Sequence, residues 1–198
     1  HHLLRRQRQM CIRDRFIGED NKKQADNCAE HAVFMAALIS IILSSTGLLF
    51  GRKILSLFGA EGEILNLGWE YLHVMCIGMP FMIFSGFFRS ILSGEGDMKF
   101  PMMVAGLGTV LNIILDPIFI FELDSFGGIG FGLGIAGAAM ATVISQLVVF
   151  FVFIVMLFFK DHSYISFNLH DFTFSTEILW DIIKVGLPAS LSMIVMAV

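Results

Sequence analysis

Asn112 and Asp116 stand four residues apart, a spacing that puts an amide and a carboxylate on one face of a helix, one turn from each other. Pro117 follows at once and, lacking a backbone N–H, leaves the carbonyl of Ile113 without its usual helical donor. An amide, a carboxylate and a spare carbonyl form an oxygen-rich set suited to a proton or to a small hard cation such as Na⁺. The setting sharpens this reading. Asp116 lies inside residues 100–121 (FPMMVAGLGTVLNIILDPIFIF), a run otherwise free of charged side chains and long enough to cross a bilayer. A carboxylate at membrane depth costs at least about 2.5 to 3.5 kcal/mol on insertion scales, so such groups face a protein interior or an aqueous cavity and mark an ion or substrate path. The alternative is an interhelical link worth about 0.6 kcal/mol. An Asn pair would make that link without the charge.

The next apolar run offers a partner. Asp116 is about 8 Å from one end of its run, and Thr142 is about 16 Å from the same side of the following run, so the depths nearly match if that helix starts near Gly134. Thr142 is thus the expected third member of a shared site. Gln146, one turn further on, either faces the same cavity or bonds a neighbouring helix. The prolines Pro80, Pro117 and Pro188 are each expected to kink a span, since each removes one intrahelical bond. His31 and His73 flank or enter apolar runs and read as hydrogen-bonded interfacial residues.

The elements that must position these residues are membrane helices. The 198 residues are 56% hydrophobic, with 21 Phe and 12 Met, and the mean hydropathy is +0.79, far above what a soluble domain needs. Five apolar runs are long enough to span, at residues 32–50, 71–92, 100–121, 131–159 and 178–198. The connections between the first four read as loops, 51–70, 93–99 and 122–130, short enough to set consecutive helices up and down beside each other. Residues 160–177 mix polar and aromatic side chains and read as a cytoplasmic connector, either a solvated loop with an interfacial face or an amphipathic linker lying along the membrane surface between two bundles. Residues 1–15 (HHLLRRQRQMCIRDR) look like a translated sequencing adapter and are set apart from the fold. The chain opens on His1 and its fifth run stops at Val198, so it reads as a piece of something longer.

Charge placement predicts orientation. Lys22, Lys23, Arg89, Lys99, Lys160 and Lys184 fall on one side of the membrane, and Arg52 and Lys53 on the other, which puts 16–30 and 160–177 in the cytoplasm. Cys11, Cys28 and Cys76 have no metal-ligand spacing and predict neither a disulfide nor a metal site beyond Na⁺ at Asp116. The string GLGIAG at 132–137 matches a dinucleotide fingerprint in form only. No strand precedes it and no acidic residue lies about 20 positions on, so its glycines and the following alanines read as a close-packing surface. No nucleophile, base and orienting group recur at usable spacing, which argues against an enzyme.

The run FFRSILSGEGDMKFPMMVAGLGTVLNIILDPIFIF, followed by GIGFGLGIAGAAMATVISQ, resembles the multidrug and toxic compound extrusion (MATE) transporters. Arg89, Gly96, Asp97, Pro101, Asn112, residues 115–117 and residues 137–142 carry the likeness, which continues at GEDNKKQAD upstream and KVGLPAS downstream. Ser93 departs from the glutamine that many members have near that position, and the 122–130 loop is somewhat long. The resemblance implies an all-α, polytopic membrane helix bundle of twelve helices in two six-helix lobes. Residues 16–159 would supply helices three to six of the first lobe, 160–177 the connector, and 178–198 the truncated first helix of the second lobe. It also implies a cation site in which an aspartate of the first helix, outside this chain, joins Asn112, Asp116 and Thr142.

The expected function is therefore a cation-coupled antiporter of the plasma membrane, driven by H⁺ or Na⁺ and exporting organic, often cationic, molecules. It would need no cofactor beyond the coupling ion, would be monomeric at full length, and would have the lipid bilayer and a small organic substrate as partners, with no nucleic acid. The rival readings are a lipid-linked precursor flippase, which a basic central cavity would favour, and a truncated fragment that does not transport.

Overall fold

The computed structural model describes residues 22–122 and 130–159, together with 175, 176, 178–180 and 182–184. Segment 1–15, nearly all of the 160–177 connector, most of 178–198 including Pro188, and Cys11 lie outside the described residues. Four long helices carry the structure: α1 (Lys22–Leu57), α2 (Gly62–Gly94), α3 (Lys99–Ile120) and α4 (Gly134–Ile154), the last continued by a π-helical turn, Val155–Phe159. All four are long and apolar enough to cross a membrane. Apart from one isolated antiparallel bridge between Glu122 and Phe131, the described residues hold no strand pairing.

The helices run past the ends of the apolar segments. The stretch 51–70, expected to be a loop, is helical except for the four residues between Leu57 and Gly62. Its Arg52, Lys53, Glu63 and Glu70 lower the hydropathy, but backbone hydrogen bonding within a helix does not require apolar side chains. The turn itself is built by Gly59. At φ 88° it occupies the left-handed region, and the N–H groups of Gly59 and Ala60 donate to the carbonyls of Ser56 (3.0 Å) and Leu55 (3.1 Å), closing the end of α1. The α2–α3 turn repeats the device with Gly96, at φ 91°. Asp97 then starts the next helix, its Oδ1 accepting the N–H groups of Lys99 and Phe100 at 3.1 Å each. The Gly96–Asp97 pair thus stops one helix and starts another.

Sequence neighbours are not all spatial neighbours. α1 packs along α2, and α4 packs along both α2 and α3, whereas α2 and α3 touch little despite their short connection. The expectation that consecutive helices lie side by side fails at this pair, because α4 occupies the space between them. Five of its six buried positions, Gly137, Ala141, Ser145, Val149 and Phe153, recur every four residues and form a stripe of increasing bulk. At the small end, backbones approach closely. At the bulky end, Phe153 meets Phe88 of α2 and Phe100 of α3 with ring centroids 6.4 and 6.1 Å apart, and a core of Ile91, Leu92, Val104 and Val149 closes around them. The outer surfaces stay apolar, with Ile41, Leu49, Met102, Met103 and Ile113 exposed, as helices do when their surroundings are lipid or further helices.

Pro80 lies within α2, and its missing N–H frees the carbonyl of Cys76. The hydroxyl of Ser44 on α1 donates to that carbonyl at 2.7 Å. In an apolar medium this is the type of substitution that makes a proline tolerable. His31, expected at an interface, is fully buried in α1. Its Nδ1 bonds the carbonyl of Asn27, and the backbone N–H of Ser175 donates to Nε2, both at 2.8 Å. His73 stands beside Trp69, ring centroids 5.6 Å apart.

A polar cluster between α3 and α4

The ends of α3 and α4 are tied together by backbone bonds. The N–H groups of Phe131, Gly132 and Leu133 donate to the carbonyls of Ile118 (2.9 Å), Phe121 (2.8 Å) and Phe119 (2.9 Å). These carbonyls end α3 and have no donor within the helix, so the segment leading into α4 supplies the missing partners. A helix that starts at Gly134 therefore begins beside the last turn of α3. Gly137 permits the approach: a Cβ there would lie 2.6 Å from the carbonyl carbon of Phe119 and 3.0 Å from the nitrogen of Ile120.

One turn further along α3 stands Asp116, and one turn beyond it Asn112, both half-buried. The Nδ2 of Asn112 donates to Asp116 Oδ1 at 3.3 Å and to Thr142 Oγ1 on α4, also at 3.3 Å. Thr142 in turn donates its hydroxyl proton to the carbonyl of Ala138 at 3.0 Å. The three residues expected to share a site thus form one connected cluster, in which Thr142 meets Asn112 and the amide is the bridge. An amide nitrogen has two protons, and here both are engaged. What remains at the cluster is acceptors: the second carboxylate oxygen of Asp116, the Oδ1 of Asn112, and the Ile113 carbonyl that Pro117 frees and to which no described side chain donates. Such a residue set presents oxygen lone pairs to whatever enters, the property a cation or proton donor requires.

Gln146 is half-buried and makes no hydrogen bond to Asn112, Asp116 or Thr142. Pro117 sits inside α3, its carbonyl accepting the N–H of Phe121 at 3.2 Å. Sequence reasoning missed Ser44 and Ser145. The first could have been sought, because a proline at position 80 announces an orphaned carbonyl at 76. Ser145 is one turn past Thr142, yet only packing reveals that it is 1% exposed and that its hydroxyl has no partner among the described residues.

The MatE family pattern matches residues 14–118. Multidrug export protein MepA of Staphylococcus aureus (strain MRSA252) is 32% identical over 184 residues, covering 92% of this chain and 38% of MepA. An outward-facing multidrug resistance MATE family transporter of the MOP superfamily superposes with a TM-score of 0.86 at 37% identity, over 96% of this chain and 40% of that one. An inward-facing one superposes with a TM-score of 0.83 at 38% identity, over 93% and 40%. The chain therefore spans about two fifths of the length of the relatives it matches. These relatives are multidrug transporters and not enzymes. From helices, polar cluster and likeness together, the conclusion is that this chain is a multi-pass membrane protein belonging to the MatE family of multidrug efflux transporters.

Proposed function

We propose that the chain forms part of the first lobe of a cation-coupled antiporter, in which H⁺ or Na⁺ taken up at Asp116 biases alternation between outward-open and inward-open states and drives export of organic, often cationic, compounds across the plasma membrane. The observation that carries the reading is the bridging amide of Asn112, which spends both protons on Asp116 and Thr142 and leaves the cluster rich in oxygen acceptors. A carboxylate held half-buried between apolar helices has no structural need of its charge, since an asparagine would make the same link. A cation neutralises that charge and gives the two states different energies, which is the minimum a coupling ion must do. Movement of the lobe as a unit is supported by the high likeness of this helix set to both an outward-facing and an inward-facing relative, with TM-scores of 0.86 and 0.83. Residues 16–30 and 160–177 would face the cytoplasm, and the full-length protein would act as a monomer.

The test is efflux of a fluorescent organic cation from proteoliposomes holding the full-length transporter, with an imposed proton or Na⁺ gradient. Asp116→Asn should abolish gradient-driven efflux while leaving folding intact. Gradient-driven efflux at the wild-type rate in that variant would remove Asp116 from the mechanism.

A further inference from the structure

His31 is the residue through which α1 reaches a segment 144 positions away in the chain. Its ring folds back along α1, and Nδ1 lies 2.8 Å from the carbonyl of Asn27, four residues earlier. The backbone N–H of Ser175 points at Nε2, also at 2.8 Å. A carbonyl can only accept and a backbone N–H can only donate, so the proton sits on Nδ1 and Nε2 is the acceptor. Both ring nitrogens are thereby engaged, one on the ring's own helix and one across to Ser175.

Both ends of this bond are held in place. Four consecutive residues, Cys28, Ala29, Glu30 and His31, are 6% exposed or less. Successive helix positions point about 100° apart, so the four together face every direction and the whole turn is enclosed. Ala29 belongs to the core of Phe88, Ile91, Leu92 and Leu157, which fixes this end of α1 to α2 and to the π-helical turn after α4. On the other side, Leu179 donates its N–H to the carbonyl of Ser175 at 3.2 Å, and the described residues between Thr176 and Lys184 are helical. Ser175 therefore stands at the start of a helix, where backbone N–H groups have no acceptor within the helix, and His31 supplies one.

We propose that the bond from Ser175 to His31 ties the start of the second lobe to the cytoplasmic end of the first, made when the cytoplasmic side is closed and broken when that side opens. The inference rests on the antiport reading above, with its two lobes and its orientation, and adds a residue that sets the balance between the two states. His31 adjoins 16–30 and Ser175 lies within 160–177, the two segments read as cytoplasmic. Asp116 is near the far end of α3, at the other end of the bundle, so the tie is separate from the cation cluster. Opening the cytoplasmic side carries the second lobe away from α1, and a ring anchored in the first lobe does not follow. The parting strips a buried acceptor of its donor, so the tie favours the state closed to the cytoplasm. His31 is a positioning residue in this scheme and touches neither cation nor substrate.

The test uses the full-length transporter in lipid nanodiscs, with its other cysteines replaced by alanine. Spin labels at Met98→Cys, exposed at the start of α3, and on a cytoplasmic turn of the second lobe report the distance across the cytoplasmic side. His31→Phe keeps a ring and removes both nitrogens, whereas Ser175→Pro removes the N–H and is tolerated at a helix start. Each should raise the ratio of open to closed distances roughly 3- to 10-fold, the factor that one hydrogen bond controls. The double variant should shift the ratio no further than either change alone. His31→Gln, which keeps an acceptor where Nε2 stood, should stay within about twofold of wild type. Unchanged ratios in both single variants would overturn the proposal. So would a shift in His31→Phe that Ser175→Pro does not share or that His31→Gln shows in full, since lost packing would then account for it. A wild-type protein with one and the same distance at every cation concentration would bring down the antiport reading itself, whereas two populations indifferent to these substitutions would bring down only the tie.

Discussion

Pro80 and Ser44 offer a sharp test of how this bundle tolerates a proline inside a membrane helix. The proline strips α2 of one N–H, and the carbonyl of Cys76 takes its donor from Ser44 Oγ across the α1–α2 interface at 2.7 Å. A net hydrogen bond contributes about 0.5 to 1.5 kcal/mol, and a buried acceptor left bare costs about 1 to 3 kcal/mol. Interhelical polar pairs measured in membranes average about 0.6 and reach about 1.7 kcal/mol. Ser44→Ala is therefore expected to destabilise the protein by about 1 kcal/mol, the middle of these ranges. In a Pro80→Ala background the result should change, because the substitution restores a backbone N–H that reaches the Cys76 carbonyl within α2, and Ser44 loses its acceptor. There Ser44→Ala should cost only a few tenths of a kcal/mol, giving a coupling energy of about 0.7 kcal/mol, about threefold in the unfolding equilibrium. The assay is reversible unfolding of the four proteins of this double-mutant cycle in mixed micelles. If Ser44→Ala costs the same in both backgrounds to within about 0.3 kcal/mol, the hydroxyl is not standing in for the missing amide and the reasoning is refuted.

Two further substitutions probe how the cluster is held. Gly137→Ala places a methyl group against the Phe119 backbone, which cannot yield as a side chain would, so α3 and α4 should part. We expect about 1 to 3 kcal/mol of destabilisation, seen in the same unfolding assay, and a weaker response of melting temperature to the coupling cation as the Asn112–Thr142 bond lengthens. Asp97→Ala removes the acceptor for two N–H groups at the start of α3 and should cost about 1 kcal/mol, whereas Asp97→Asn, which keeps an oxygen in place, should cost less.

Much of this molecule was legible from residue types and spacing. The apolar runs located four spanning helices, and the i, i+4 spacing of Asn112 and Asp116 put them on one face because the helical period is a local property of backbone geometry. Hydropathy misplaced the helix ends. It took 51–70 for a loop because hydropathy registers surroundings and not hydrogen bonding, and two helices there extend beyond the apolar segments to a four-residue turn at Gly59. It also suggested that α2 and α3 pack side by side, where the small residues at the start of α4 let that helix come between them.

What the sequence by itself determined is that a carboxylate sits within an apolar span, with an amide one turn away and a proline beside it. Only the tertiary structure decided which group answers which: that the amide reaches Thr142 as well as Asp116, that Ser44 serves the carbonyl Pro80 abandons, and that Ser145 is shut away without a partner among the described residues. The physical reason is that spacing within a helix follows from its own backbone, whereas register between helices depends on where small and large side chains interlock and on the few backbone bonds that tie one helix end to the next.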